Sequence, residues 1–116
     1  MLNIVTDISK KINQILLDNK AKNIIKIDLK NKSSIAEFMI ICSGTSNRHV
    51  ISLSNYIVEA LKKENLKTLN IEGKTNGDWV LVDAGDIIVH LFRNEVREYY
   101  SLEKMWSTNA INSYLK

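Results

Sequence analysis

Proline is absent from this chain of 116 residues, and only four glycines and one cysteine occur in it. The lack of proline and the small number of glycines argue against a disordered or linker-rich protein. The single cysteine, Cys42, has no partner for an intramolecular disulfide, which indicates a reducing compartment. No apolar run approaches the roughly 18 residues of a membrane span, and the N-terminus lacks a signal-peptide pattern. These absences predict a soluble cytoplasmic protein without a membrane partner.

The rest of the composition is that of an ordinary globular protein. Hydrophobic residues make up 45% and charged residues 25% of the chain, and its length predicts a single domain over 1–116. The net charge of +3 is compatible with work near nucleic acid and is also common in other cytosolic proteins. Lysines such as Lys10, Lys20 and Lys30 are scattered along the sequence, without an arginine-rich stripe. The pattern does not resemble a groove-reading helix.

Hydrophobic periodicity predicts eight secondary-structure elements. In chain order they are a helix at 4–19, strands at 24–29 and 38–42, a second helix, strands at 67–71, 79–83 and 86–92, and a helix from 94 onward. The second helix follows the capping residues at 43–47, has its apolar stripe at 50–61 and ends near 65. Ala84 and Gly85 join the last two strands in a hairpin. The order predicts an α/β (α+β) fold, with a mixed sheet of about five strands flanked by helices.

The strand-to-helix turn Cys42–Ser46 is the first place where chemistry could occur. Small residues at a helix N-terminus leave backbone N–H groups free for phosphate, and nucleotidyltransferases combine such a turn with a pair of metal-binding acids. The acids available here, Asp83 and Asp86, are three residues apart across a hairpin turn, which does not suit a magnesium pair on one strand face. Capping of the second helix by Thr45 or Ser46 is therefore favoured, and a nucleotide-binding enzyme remains the alternative.

The hairpin and the helix after it form the second such place. Alternation predicts that Val80, Val82, Val89 and Leu91 face the core, but the opposite face is also largely apolar. That face must be covered either by a helix of the chain or by a partner. Residue types enriched in protein interfaces are concentrated in this last third of the chain, which favours a partner. The predicted docking residues are Trp79, Leu81, His90, Arg97, Tyr100, Glu103, Met105 and Trp106.

Histidine and cysteine chemistry receives little support from the sequence. His49, His90 and Cys42 lie on separate predicted elements without ligand spacing, so zinc is not expected. His90 is interpreted as a core or interface residue in preference to a general base. Arg97 and Glu103, set among aromatic residues, are predicted to form the polar rim of the docking patch. The sequence thus predicts no catalytic residue, no metal and no cofactor.

Three stretches of the chain form a specific combined pattern. They are Ile40–Val50 with its Gly-Thr-Ser turn, Glu72–Phe92 with Trp-Val-Leu-Val-Asp and Val-His, and Glu95–Trp106 with Arg-Glu-Tyr-Tyr-Ser-Leu-Glu-Lys-Met-Trp. Together they resemble the ribosomal silencing factor (iojap-like) family over nearly the whole chain. Departures are modest, such as Ala84 where an aromatic residue is common.

The resemblance implies a nucleotidyltransferase-like fold that lacks the catalytic acids, and hence a protein that is not an enzyme. It implies binding to the large ribosomal subunit through the large-subunit ribosomal protein numbered fourteen, at the intersubunit face. Such binding would block joining of the small subunit and repress translation. Organelle members of the family assist large-subunit assembly, and homodimers occur among its members. Contact with ribosomal RNA would be peripheral at most.

Overall fold

The structure, a computed structural model, describes residues 4–32, 34, 36–66 and 70–100. Over these residues the chain forms three helices and five strands in the predicted order. The helices are α1 (Ile4–Asp18), α2 (Asn47–Lys63) and α3 (Asn94–Tyr100), and the strands are β1 (Lys22–Asp28), β2 (Phe38–Gly44), β3 (Asn70–Glu72), β4 (Trp79–Asp83) and β5 (Ile87–Arg93). The predicted α/β (α+β) class is confirmed.

The five described strands form one mixed sheet in the order β1-β2-β5-β4-β3. β2 and β5 pair in parallel, with Phe38 opposite Ile87 and Gly44 opposite Arg93. The other neighbouring strands pair antiparallel. Every residue of β2 is buried, as its continuous apolar run predicts, because β2 lies inside the sheet with cover on both faces.

The two long helices pack on one face of the sheet. Ile8, Ile12 and Leu16 recur on α1 at intervals of four residues, so they form one apolar stripe and enter the same core as α2. The strand residues that alternation assigns to this core are fully buried; they are Val80, Val82, Val89 and Leu91. That part of the prediction is confirmed. Among the described helices, none combines the length and apolar character needed to cross a membrane.

Several strand boundaries differ from the predicted ones, and two of these differences follow directly from the pairing of the strands. β1 begins at Lys22, two residues earlier than expected, because Lys22 pairs with Ser43 across an irregularity in the ladder, and Asn23 takes a φ of 52° there. β3 includes Glu72, which was expected in a loop, because that residue pairs with Leu81. The segment 67–69, where the prediction started this strand, lies outside the described residues. Both differences arise from pairing with a distant strand.

Candidate docking surface

The face of the sheet opposite α1 and α2 carries the predicted docking residues of the hairpin. The antiparallel register sets Trp79 opposite Phe92 and Leu81 opposite His90. Trp79, Leu81 and Ile88 are partly exposed, whereas His90 is only 8% exposed and Phe92 is fully buried. The fold therefore brings Trp79, Leu81 and His90 together on one face, with the histidine set more deeply than its neighbours.

The chain covers part of this face itself. A second hydrophobic cluster includes Phe92 and residues of β1, of the β1–β2 connection, of β2 and of α3. Its members are Ile25, Ile27, Leu29, Ala36, Met39, Ile41, Trp79, Ile88, Phe92 and Val96. The sequence favours a partner over a helix of the chain as the cover of this face. Among the described elements, α3 packs on β5 and β2, while Trp79 and Leu81 of β4 keep part of their surface in solvent.

Trp79, His90 and Phe92 form a cluster of rings. Nε1 of Trp79 lies 2.9 Å from Nδ1 of His90, and an indole N–H can only donate. Nδ1 of His90 is therefore the acceptor, and the imidazole carries its proton on Nε2. The indole also stacks on Phe92, with ring centroids 4.9 Å apart and planes inclined by 27°. Both contacts fix the rotamer of Trp79.

Burial sets the charge state of His90. Desolvation lowers the pKa of His90 from 6.5 to about 4, so the ring is neutral at neutral pH. The neutral ring is also the form that the hydrogen bond from Trp79 requires. His90 is therefore suited to fix the indole and unsuited to act as a general base near pH 7, where its pKa would have to lie closer to the working pH.

The loop before β4 is built closely against the start of that strand. Gly73 has a φ of 81°, and a Cβ at this position would lie 2.0 Å from the carbonyl oxygen of Trp79. Gly77 has a φ of 76°, and a Cβ there would lie 2.8 Å from the carbonyl oxygen of Asn47. Only glycine meets both requirements, a left-handed backbone and no side chain. The loop thereby fixes the position from which Trp79 projects.

Asp78 links three elements beside Trp79. Nε of Arg93 donates to Oδ1 of Asp78 at 2.9 Å, and Nδ2 of Asn47 donates to the same oxygen at 2.8 Å. The backbone N–H of Arg93 donates to the carbonyl of Asp78 at 2.9 Å. These bonds join the start of α2, the start of β4 and the end of β5. The sequence gives no local sign of this cluster, because Asn47 and Asp78 are 31 positions apart and no motif connects them.

Arg97 lies inside the protein and not on a surface rim as predicted. Its side chain is 6% exposed, and Nη1 donates to the carbonyl oxygen of Asn23 and, at 3.0 Å, to Oγ of Ser43. The guanidinium lies inside because it satisfies two acceptors, near the start of β1 and the end of β2, and buried polar groups are rarely left without a hydrogen bond. Arg97 thereby anchors α3 to the sheet. The side chain of Tyr100, and the whole of Glu103, Met105 and Trp106, lie outside the described residues.

Cys42 is fully buried in the core between the sheet and the long helices. Burial raises the pKa of the Cys42 thiol to about 12, although the charge of Arg97 opposes the shift. The group is therefore a protonated thiol at neutral pH, and a thiol is neither a good nucleophile nor a metal ligand.

Side chains of this chain occupy the small-residue turn after β2 and bond to backbone N–H groups there. Ser46 caps α2, because its Oγ accepts from the N–H of His49 at 3.1 Å. The N–H of Thr45 donates to Nδ1 of His49 at 2.9 Å, and Nε2 of His49 lies 2.8 Å from the carbonyl oxygen of Asn19. A Cβ on Gly44 would lie 2.8 Å from Cγ2 of Val50. The capping interpretation is confirmed.

The two aspartates of the alternative enzyme site lie far from this turn. The parallel ladder between β2 and β5 runs from Phe38–Ile87 to Gly44–Arg93, and six residues of strand span roughly 20 Å. Gly44 lies at one end of that ladder, while Asp83 and Asp86 flank its other end. Oδ1 of Asp83 accepts from the N–H of Gly85 in the hairpin turn. In the part of the chain that the structure describes, no three His, Cys, Asp or Glu residues are grouped to hold a metal.

Similarity to known proteins agrees with the sequence motifs around this surface. The family described as "ribosomal silencing factor during starvation" matches residues 5–114. This chain belongs to the ribosomal silencing factor family. The matched range contains all three motif stretches and the hairpin with Trp79 and His90. The resemblance inferred from the sequence is thereby confirmed.

Relatives of this family occur in bacteria and in mitochondria. A ribosomal silencing factor of Zymomonas mobilis is 46% identical over 97 residues, which cover 84% of this chain and 73% of that protein. A mouse protein named "mitochondrial assembly of ribosomal large subunit protein 1" is 33% identical, over 87% of this chain and 46% of its own. The crystal structure of a Chromobacterium violaceum protein matches with a TM-score of 0.86 at 40% identity, over 91% of this chain and 88% of that one.

Proposed function

We propose that this chain binds the large ribosomal subunit at its intersubunit face, through ribosomal protein fourteen, and thereby blocks subunit joining and represses translation in the cytoplasm. Family membership supports the general role, because the family is named for ribosomal silencing. The name of the mouse relative supports the large subunit as the target. The observation that carries the proposal is the docking strip, defined as the partly exposed residues Trp79, Leu81 and Ile88.

The docking strip has the features of an interface hot spot. Tryptophan is among the residues that dominate binding energy, and its contribution is largest where it is well packed and already ordered. The hydrogen bond to His90 and the stacking on Phe92 fix the indole before a partner arrives. A side chain that is fixed in advance loses little conformational entropy on binding. His90 therefore contributes to docking by holding Trp79 in place.

The last helix extends the same surface in our proposal. Arg97 holds α3, the described part of this helix, against the sheet. We propose that Tyr100, Glu103, Met105 and Trp106 complete the docking surface and that Arg97 positions them from inside. Size supports a steric mechanism, since the protein extends over 37 × 34 × 22 Å. A body of this thickness on the intersubunit face would hold the two subunits apart.

The test is co-sedimentation of Trp79→Ala with purified large subunits, followed by a subunit-joining assay. Truncation of a buried aromatic anchor weakens binding by about 2 kcal/mol or more, a loss of roughly thirtyfold or greater in affinity. Tyr56→Ala is the matched control, because Tyr56 is 48% exposed on α2, on the opposite side of the sheet. The proposal fails if a folded Trp79→Ala protein binds large subunits and blocks joining as the unaltered chain does.

Assistance in large-subunit assembly is a second candidate, favoured by the name of the mouse relative. The two roles are separated by the ribosome profile of cells that lack the protein. Accumulation of incomplete large subunits during growth would favour assembly. A normal profile during growth with an excess of joined ribosomes in starvation would favour silencing.

A further inference from the structure

The positive charge of the chain is concentrated in residues 20–32, which comprise β1 and its two flanking turns. This segment contains one acid, Asp28, and five lysines: Lys20, Lys22, Lys26, Lys30 and Lys32. Its net charge is therefore +4, whereas the whole chain carries +3, so the remaining residues sum to −1. Lysines that look scattered in the sequence thus account for all of the net positive charge.

The fold brings these lysines to one border of the molecule. β1 is an edge strand of the described sheet, paired on one side with β2. Lys20, Lys22, Lys26 and Lys32 are exposed, and Lys30 is partly exposed. We call these five side chains the basic edge. Lysines on an edge strand prevent it from pairing with a strand of another molecule. One or two lysines are enough for that protection, so it does not explain why the whole net positive charge lies at this border.

The ion pairs of the described residues leave the basic edge unneutralised. Among the described residues, ion pairs join Lys11 to Glu64 and Arg93 to Asp78 and Glu95, and none involves the basic edge. The carboxylate of Asp28, within the segment, accepts a hydrogen bond from the backbone N–H of Lys30 at 2.9 Å. It therefore serves the turn that follows β1.

Two lysines of the basic edge make cation–π contacts with the same ring, that of Phe38. Nζ of Lys26 lies 4.5 Å from the centroid of the Phe38 ring, and Nζ of Lys30 lies 4.8 Å from it. A cation–π contact attracts an ammonium group without cancelling its charge. Both ammonium groups therefore lie near one ring and keep their charge. This arrangement suits a polyanion better than a single carboxylate.

We propose that the basic edge contacts the phosphate backbone of ribosomal RNA when the chain is docked on the large subunit. Lysine ammonium groups bind phosphates as point charges and need no particular base sequence. β1 forms one border of the sheet, three strand spacings or roughly 14 Å from β4, and Lys26 and Lys30 lie at Phe38 on the helix side of that border. A large partner that covers the docking strip and extends around this border can therefore contact both surfaces. This inference rests on the proposed binding to the large subunit.

The first test is the salt dependence of binding to purified large subunits. Each phosphate neutralised by a lysine adds about 0.7–0.9 to the slope of log affinity against log salt concentration. The triple variant Lys22→Gln, Lys26→Gln, Lys32→Gln is therefore expected to lower that slope by about 2 to 3. The matched control is Lys10→Gln, Lys62→Gln, Lys63→Gln, which removes the same charge from exposed positions on α1 and α2 and leaves the slope unchanged.

The outcomes separate this inference from the proposed function. Binding of the unaltered chain, with the same slope in both triple variants, would overturn the basic edge alone. An equal loss of slope in both variants would also overturn it, because the effect would then reflect net charge and not position. If the unaltered chain does not bind large subunits at any salt concentration, both the proposed function and the inference are overturned.

The second test distinguishes RNA from an acidic protein surface as the partner. Ser34, an exposed residue beside the basic edge, is replaced in Ser34→Cys and labelled with an iron chelate that cleaves nearby RNA strands. The buried Cys42 thiol does not compete for the label. We expect localised cleavage of ribosomal RNA from position 34 and none from a control label at Asn55→Cys on α2. Bound, labelled Ser34→Cys protein that cleaves no RNA would overturn the proposal.

Discussion

The indole N–H of Trp79 donates a hydrogen bond to Nδ1 of His90 across the β4–β5 ladder, with 2.9 Å between the two nitrogens. This bond joins a partly exposed residue to a buried one. It fixes the indole, determines the tautomer of the imidazole and requires the imidazole to be neutral. A residue whose type suggests catalysis thereby positions the indole of the proposed docking strip.

The stability of the fold should depend on pH through His90. Burial lowers the pKa of this residue in the folded state from 6.5 to about 4, so the unfolded chain takes up a proton first as the pH falls. The free energy of unfolding is then highest above pH 6.5 and decreases by about 3 kcal/mol as the pH falls towards 4. Urea unfolding at several pH values measures the decrease.

His90→Asn is the control for this pH dependence. The amide oxygen of asparagine can accept from the indole at the position of Nδ1, but it does not titrate. Between pH 6.5 and 4 the free energy of unfolding should therefore decrease less in His90→Asn than in the unaltered chain, because the titration of His90 is absent. An equal decrease in both proteins would assign the effect to other groups.

Trp79→Phe should destabilise the protein while it preserves most of the ring stacking. A phenyl ring can still pack on Phe92, but it has no N–H to donate, so Nδ1 of His90 loses its hydrogen-bond donor in a buried site. An unsatisfied buried polar atom destabilises a fold by about 1–3 kcal/mol. Chemical unfolding of Trp79→Phe and of the double variant with His90→Leu gives the measurement. If the double variant does not recover stability relative to Trp79→Phe, the unpaired nitrogen is not the cause.

Regular alternation and local motifs were sufficient to predict much of the fold. The positions of Val80, Val82, Val89 and Leu91 in the core follow from a period of two, and the Ser46 cap follows from the residue types in its turn. Such features depend on neighbours in sequence. They can be inferred without knowledge of the tertiary structure.

Features that depend on distant residues could not be predicted in the same way. Arg97 is 74 positions from Asn23, so a charged residue that looks like part of a surface rim turns inward to a carbonyl that only the folded sheet supplies. The basic edge is similar in one respect, because its place at the border of the molecule follows from β1 being an edge strand. The bond from Trp79 to His90 is intermediate, since the hairpin predicts adjacency but not the tautomer.

Gly73→Ala should strongly destabilise the loop before β4. The substitution places a Cβ at a φ of 81° and 2.0 Å from a backbone oxygen of Trp79, which cannot rotate away as a side chain could. We expect the free energy of unfolding to decrease by about 1–3 kcal/mol or more. The affinity for large subunits should also decrease, because Trp79 is displaced. Gly44→Ala is the comparison, since its closest contact is the Val50 side chain at an ordinary φ. A smaller loss in Gly73→Ala than in Gly44→Ala would contradict this account of the loop.

Arg97→Met should loosen α3 while the sheet and the two long helices remain folded. The variant keeps an apolar stem of similar length but removes the donors to Asn23 and Ser43, and a hydrogen bond from a charged donor contributes about 1.5–3 kcal/mol. Amide hydrogen exchange should therefore become faster in α3 while it stays slow in β2. Affinity for large subunits should fall as well, because α3 belongs to the proposed docking surface.

Arg93→Met separates anchoring of the helix from loss of a positive charge. Arg93 is partly exposed and pairs with Asp78 and Glu95 at the surface, where such pairs contribute at most about 1 kcal/mol. Its removal should leave exchange in α3 close to that of the unaltered chain. If Arg97→Met and Arg93→Met accelerate exchange in α3 equally, the buried guanidinium is not the anchor. Unchanged exchange in Arg97→Met with weakened binding would instead mean that Arg97 contacts the partner directly.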